Sequence, residues 1–221
     1  MEKGLRDFYI SIYKWMIGGL LLSAMVAWLT LNSPLAVFVM NPVLFWGTVA
    51  VEIGLLFVIQ LGINRLSYQH SFWLYLLYAV LNGITISGLL LYYLSQSVSL
   101  VLVIFGVAAS IFAVLAVIGY TTKQDLSSWG PFLIAGVWGV FASAILNIFL
   151  QNSMFDLIIS AVALVVFSAL TVYDNQFYKN LYHQLPNDEE KAKATTIGAL
   201  HMYINFIMIF QSLLNLVMGR E

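Results

Sequence analysis

Glu52 is the residue whose position in this chain most demands a chemical reason. It sits inside the apolar run Thr48-Val-Ala-Val-Glu-Ile-Gly-Leu-Leu, with no Lys or Arg within twelve residues along the chain. An ionisable group at that depth costs roughly 2.5–3.5 kcal/mol on membrane-insertion scales, so it is a functional candidate by default. Its chemistry would be that of a proton or cation site facing the inside of a bundle. The plainer alternative is a protonated carboxyl bonded to a neighbouring helix. Asp174 ends a second apolar run, Phe167-Ser-Ala-Leu-Thr-Val-Tyr-Asp-Asn-Gln, close to its polar boundary, where simple solvation is expected. Asn205 lies about ten residues into a third run, about 15 Å along a helix, with His201 one turn earlier on the same face. Arg65 follows another run in Gly62-Ile-Asn-Arg-Leu, where it reaches lipid headgroups or pairs with Asp174. Asp156 is expected to be solvated. Gln60, Asn82, Asn147, Gln211 and Asn215 supply amides able to bridge helices. His70 and His183 fall between runs, and no histidine spacing makes a zinc site.

The elements that carry these groups are spans. The chain has 221 residues, 62% hydrophobic and 9% charged, with mean hydropathy +0.92. A soluble domain carries about 25% charged residues, so a bilayer is the environment this composition fits. Each span needs about 20 mostly apolar residues. Seven are read near 15–31, 42–63, 72–94, 98–119, 130–150, 155–174 and 196–218, giving an all-α polytopic membrane protein, a seven-transmembrane-helix bundle in one domain over 1–221. The segment 175–195, with Pro186, Asn187, Asp188, Glu189, Glu190, Lys191 and Lys193, is expected to be its one long polar loop. With the N-terminus inside, Lys3, Arg6, Lys14, Arg65, Lys123, Lys179, Lys191 and Lys193 fall inside and Arg220 outside. The positive-inside rule therefore orients the N-terminus to the cytoplasm and the C-terminus outside the cell membrane. The first span reads as a retained anchor, since no convincing small-residue cleavage site follows it. Ala135, Gly139 and Ser143 recur every fourth residue, a spacing that lets helix backbones approach closely in lipid. The six Trp residues lie mostly near span ends, as interfacial anchors do. Cys is absent, so disulfides and thiolate chemistry are excluded. No basic cluster points to nucleic acid.

Three stretches carry a resemblance to a known family. They are Gly119-Tyr-Thr-Thr-Lys-Gln-Asp-Leu, Phe167-Ser-Ala-Leu-Thr-Val-Tyr-Asp, and Gly198-Ala-Leu-His-Met-Tyr-Ile-Asn-Phe-Ile continuing through Gln211-Ser-Leu-Leu. In this order and on seven spans, the chain resembles the Bax inhibitor-1 family, also called the transmembrane Bax-inhibitor-motif family, in a bacterial form. The resemblance implies a bundle with the last helix central. It also implies a pH-sensitive calcium leak governed by two aspartates, one on span 6 and one on span 7, with a span 2 arginine that binds them in one state. Two close carboxylates share a proton when the pH is low and repel when both ionise, so their titration biases an equilibrium between states. Carried onto this chain, the span 6 aspartate is Asp174 and the span 2 arginine is Arg65. The span 7 aspartate is Asn205, a departure that removes the coupled pair. Glu52 matches an acidic position common in the family's second span and becomes the remaining proton-responsive group. Asp174 is the one residue left to meet calcium as a transported ion, and a weak one, because calcium prefers several oxygen ligands.

Two functions remain in competition. One is a passive cation (calcium) leak with Glu52, Asp174 and Asn205 along its path and Arg65 as a latch. The other is a non-catalytic stress regulator whose partner is a membrane-anchored AAA+ protease, since the resemblance extends to bacterial relatives that restrain one. An intramembrane aspartyl protease needs a second aspartate after Gly-x-Gly, which the sequence lacks. A retinal receptor needs a lysine in span 7, also missing. No nucleotide loop, nucleophile–base arrangement or cofactor motif appears, so the chain is read as no enzyme, with the bilayer as its first partner.

Overall fold

The computed structural model describes residues 3–62 and 66–219. Arg65, the expected latch, lies outside the described residues. The elements are α1 (Lys3–Leu31), a 3-10 turn (Pro34–Ala36), α2 (Val37–Met40), α3 (Pro42–Gly62), α4 (Tyr68–Gln96), α5 (Val98–Thr121), a second 3-10 turn (Ser127–Trp129), α6 (Gly130–Leu150), α7 (Ser153–Tyr182) and α8 (Asp188–Met218). Seven of these helices are long and apolar enough to cross a membrane, with only the short α2 outside that set. The all-α, seven-span reading therefore holds. The physical cause is simple. In hydrocarbon a backbone has no water to bond, so a long apolar run satisfies its own amides as a helix.

Polar residues start the helices where the apolar runs begin. Asn41 Oδ1 accepts from the backbone N–H of Val43 and Leu44 ahead of α3, and Pro42 fills its first position, where no donor is needed. Ser97 caps α5 and Asn152 caps α7 in the same manner. One expectation fails here. The segment 175–195 is no long loop. Helix α7 continues to Tyr182, and α8 begins at Asp188, leaving only a short turn. Asn187 Oδ1 accepts from Glu190 N at 2.8 Å, and Asp188, Glu189 and Glu190 fill the first turn of α8. Those acidic residues face the positive end of the helix dipole, so polarity here starts a helix.

The chain forms two compact units. The first holds residues up to Gln96 with Leu185–Tyr203. In it α4 packs against both α1 and α3. Gly83 permits the α1–α4 approach, since a Cβ there would meet Ser23 O at 2.7 Å and Val26 Cβ at 2.8 Å. The second holds Ser97–Gln184 with the residues from Ile204 onward, and its α7 packs against both α5 and α6. Gly119 of α5 lies on the backbone of α7, where a Cβ would meet the carbonyl oxygen of Val172 and, at 2.8 Å, Asn175 Cβ. In the Ala135–Gly139–Ser143 stripe, a Cβ on Gly139 would meet nothing within 4 Å, whereas one on the nearby Gly136 would meet Val166 at 3.2 Å. Helix α8 is the most enclosed of the seven. Its apolar window is 72% buried, against 11–39% for the others, in keeping with the inner place expected of the last helix. All six Trp side chains face outward.

Candidate functional site

Helix α3 buries Glu52, and α4 supplies its partners. Asn82 Nδ2 donates to Glu52 Oε1 at 2.7 Å, and Thr85 Oγ1 donates to Oε2 at 2.9 Å. The Tyr78 hydroxyl joins them. Tyr75, Tyr78, Asn82 and Thr85 follow one another at three- and four-residue steps, so they share one face of α4. The amide of Asn82 is held from its other side. Tyr203 of α8 donates its hydroxyl proton to Asn82 Oδ1 at 2.7 Å. The same hydroxyl lies 2.7 Å from Ser23 Oγ of α1. Ser23 in turn lies 2.7 Å from the carbonyl oxygen of Ala79. Polar side chains of α4, α8 and α1 thus form one hydrogen-bonded network with the carboxyl of α3. Among the described residues no buried side-chain nitrogen or oxygen is left without a partner. In a medium without water, each such gap would cost several kcal/mol.

A second centre lies in the other unit. Asn205 Nδ2 donates to Asp174 Oδ2 at 2.7 Å, and both residues are buried, 3% and 7% exposed. This corrects the expected solvation of Asp174. Because α7 runs eight residues past Asp174 to Tyr182, the carboxylate sits well inside the helix instead of at its end. Helix α8 likewise starts seventeen residues ahead of Asn205, at Asp188, which brings the two to one level. Asp156 is a further correction. It is half-buried, and Asn215 Nδ2 donates to its Oδ2 at 2.6 Å and to Ser160 Oγ at 2.7 Å. Of the other predicted bridging amides, Gln60 is exposed, and Asn147 Oδ1 accepts from Asn152 N beyond its own helix end. His201 is half-buried on α8.

The turn between α5 and α6 is clasped by α7. Gln176 donates to Gln124 O and accepts from Leu126 N at 2.7 Å. Lys179 donates to Tyr120 O at 2.9 Å, and its ammonium lies 5.1 Å from the centre of the Tyr120 ring. An open cavity of about 200 Å³ adjoins this clasp, lined by Ser127, Tyr173, Gln176, Asn180 and Gln184 among others. In the turn itself, Asp125 Oδ1 accepts from Ser127 Oγ at 2.6 Å and Ser127 N at 3.0 Å. Those two bonds hold the Asp125 carboxyl below the usual aspartate range.

Sequence reasoning found Glu52, Asp174 and Asn205, and named Asn82 and Asn215 as bridging amides. It missed Tyr203, Thr85, Tyr78 and Ser23. The regular spacing on α4 was the available signal for two of them. Three or more His, Cys, Asp or Glu side chains never converge on one point among the described residues. A cation at Glu52 or Asp174 would therefore meet one carboxylate plus amide and hydroxyl oxygens. That set is sparser than the many-oxygen cage calcium prefers.

The comparisons agree with this architecture. The family model for “Inhibitor of apoptosis-promoting Bax1” matches residues 5–221. The inner membrane protein YbhL of Escherichia coli is 32% identical over 222 residues, spanning 99% of this chain and 94% of YbhL. A protein of Deinococcus radiodurans is 36% identical over 217 residues, spanning 98% of this chain and 92% of its own. Another, from Borreliella burgdorferi, is 32% identical over 219 residues, spanning 98% and 93%. With near-complete coverage on both sides and seven spanning helices in common with the expected pattern, this chain belongs to the Bax inhibitor family of integral membrane proteins.

Proposed function

We propose that this protein is a passive cation leak, with calcium as the ion, whose path is framed by Glu52, Asp174 and Asn205. The observation that carries this reading is the buried contact between Asp174 and Asn205, 2.7 Å apart on α7 and α8. A bilayer-spanning helix keeps a carboxylate at that depth only at considerable cost, and polar groups retained there mark ion pathways. Asparagine meets the carboxylate with a neutral donor and offers a carbonyl oxygen beside it. One carboxylate and an amide bind a hard cation weakly, which favours slow passage over storage. The bundle passes between closed and open states as the protonation of its carboxyls changes. The protein lies in the cell membrane with its N-terminus in the cytoplasm. The family is not a known enzyme family, and transport without chemistry is consistent with that.

Calcium entry into dye-loaded proteoliposomes tests this directly, with the wild type and Asp174→Asn compared from acidic to neutral pH. Flux above empty vesicles that falls severalfold in Asp174→Asn is the expected result. Flux equal to empty vesicles would remove the leak reading. It would leave the protein as a restraint on a membrane-anchored AAA+ protease, which crosslinking in the native membrane would then seek.

A further inference from the structure

We propose that Glu52 heads a reversible hydrogen-bond chain, Glu52–Asn82–Tyr203–Ser23, that binds one proton and signals it through Tyr203 to α1. As a control on ion passage this rests on the leak reading, but as a proton site it stands by itself.

The argument starts from the four consecutive links. Glu52 Oε1 to Asn82 Nδ2, Asn82 Oδ1 to Tyr203 OH, Tyr203 OH to Ser23 Oγ, and Ser23 Oγ to Ala79 O are each 2.7 Å. Every interior member is both a donor and an acceptor, and the far end is a carbonyl that only accepts. The chain therefore has two proton arrangements, one in which the single Ser23 proton serves Tyr203 and one in which it serves Ala79 O. With Glu52 ionised, Ser23 donates to Tyr203, Tyr203 donates to Asn82, and Asn82 donates to Oε1. When one proton from water binds Oε1, that oxygen becomes a donor. Asn82 then turns its amide about the Cβ–Cγ bond, which exchanges its oxygen and nitrogen with little displacement, because that torsion is broad and nearly two-fold. Oε1–H donates to Asn82 Oδ1, Asn82 Nδ2 donates to Tyr203, Tyr203 donates to Ser23, and Ser23 donates to Ala79 O. One proton is gained, the three links between Glu52 and Ser23 reverse, and the Ser23–Ala79 bond, open while Ser23 donates to Tyr203, is made. Thr85 donates to Oε2 in both arrangements.

The surroundings leave this chain as the route by which the change is felt. The titratable groups facing Glu52 are Tyr78 on α4 and Tyr203 on α8, with Tyr75 facing Tyr203. Helix α2, which also packs against α3, contributes only Val37–Met40. Tyr203 is where the reversal is transmitted. It passes from donating toward α4 to donating toward α1, while its ring stays fixed edge-on between Tyr75 and Tyr78. Tyr203 is thus a positioning residue for Glu52, acting through Asn82.

Infrared difference spectra of the full-length protein in lipid nanodiscs, recorded between neutral and acidic pH with no ion gradient, read the chain directly. The expected spectrum shows a protonated-carboxyl C=O band appearing on acidification together with a shift of a phenol C–O band, identified by ring-labelled tyrosine. Both changes share one midpoint and both vanish in Glu52→Gln. In Tyr203→Phe, which removes only the hydroxyl, the phenol shift is lost and the carboxyl band remains. Asn82→Leu gives the same separation by a second route. A carboxyl band without a phenol shift, a phenol shift that survives Tyr203→Phe, or the absence of any Glu52 band would each overturn the proposal. A protein that passes this test yet carries no calcium would sink the leak and leave the proton chain intact.

Discussion

Asparagine is a partner of three enclosed carboxylates of the spanning helices: Asn82 of Glu52, Asn205 of Asp174, and Asn215 of Asp156. A neutral amide satisfies a carboxylate without cancelling its charge, whereas a lysine or arginine would do both. That choice keeps the sites open to a cation or a proton. It also bears on Asn205, which stands where the family resemblance places a second aspartate. Asn205→Asp would set two carboxyls at hydrogen-bonding distance, and such a pair titrates as a coupled unit. The expected outcome is a steeper dependence of calcium flux on pH than in the wild type, read in the same proteoliposomes. A curve that overlays the wild type would show that Asp174 does not work as half of a dyad. At this scale the sequence was a good guide to the acids and a poor guide to their company. An ionisable residue in an apolar run announces itself by its cost. A tyrosine or serine in such a run is common, so Tyr203 and Ser23 gain meaning only when helix packing brings them to Asn82.

Helices differ from the apolar windows that reveal them, and the difference decides where the site lies. Hydropathy located every span, yet it ended span 6 at Asp174 and began span 7 near residue 196. Capping and helix-dipole effects operate outside hydrocarbon, and they carry α7 to Tyr182 and start α8 at Asp188. Small residues show the same gap between pattern and packing. The three-residue stripe on α6 is regular yet its Gly139 has open space beside it, whereas Gly119 is unremarkable in the sequence and lies against the backbone of α7. Gly119→Ala should therefore cost about 1–3 kcal/mol, since the atoms met include backbone that cannot step aside. Gly139→Ala should stay within about 0.5 kcal/mol, having no neighbour to displace. Unfolding in mixed micelles measures both, and equal losses would refute the assignment of the α5–α7 contact to Gly119. The turn that follows α5 offers a pH test. Asp125 is held below the usual aspartate range first by the Ser127 hydroxyl and then by the Ser127 backbone N–H. A depressed carboxyl adds stability at pH above the unfolded aspartate range and loses it as the pH falls through its own folded value. Ser127→Ala should move the Asp125 titration upward toward the ordinary range, as followed by carbon NMR of the labelled carboxyl. An unmoved midpoint would mean the hydroxyl contributes nothing.

Orientation governs what the whole molecule can do, because a leak has a direction only once its ends are assigned. Eight of the nine Lys and Arg residues fall on the side of the N-terminus when the seven helices are threaded in order. Positive residues flanking spans resist transfer across the membrane during insertion, so an eight-to-one imbalance selects one topology strongly. The helix ends sharpen the argument. Lys179, Lys191 and Lys193 do not lie on a loose tether. They ride on the last turns of α7 and the first turns of α8. Lys123 sits in the α5–α6 turn. In the proposed topology an odd number of spans places the C-terminus on the other side. Fusion of alkaline phosphatase after the last helix should accordingly give an active enzyme in intact bacterial cells, and fusion of green fluorescent protein there should stay dark. The same reporters placed in the α5–α6 turn should behave in the opposite way. Fluorescence at the C-terminus with inactive phosphatase would invert the topology, and with it the side from which protons and cations first reach Glu52 and Asp174.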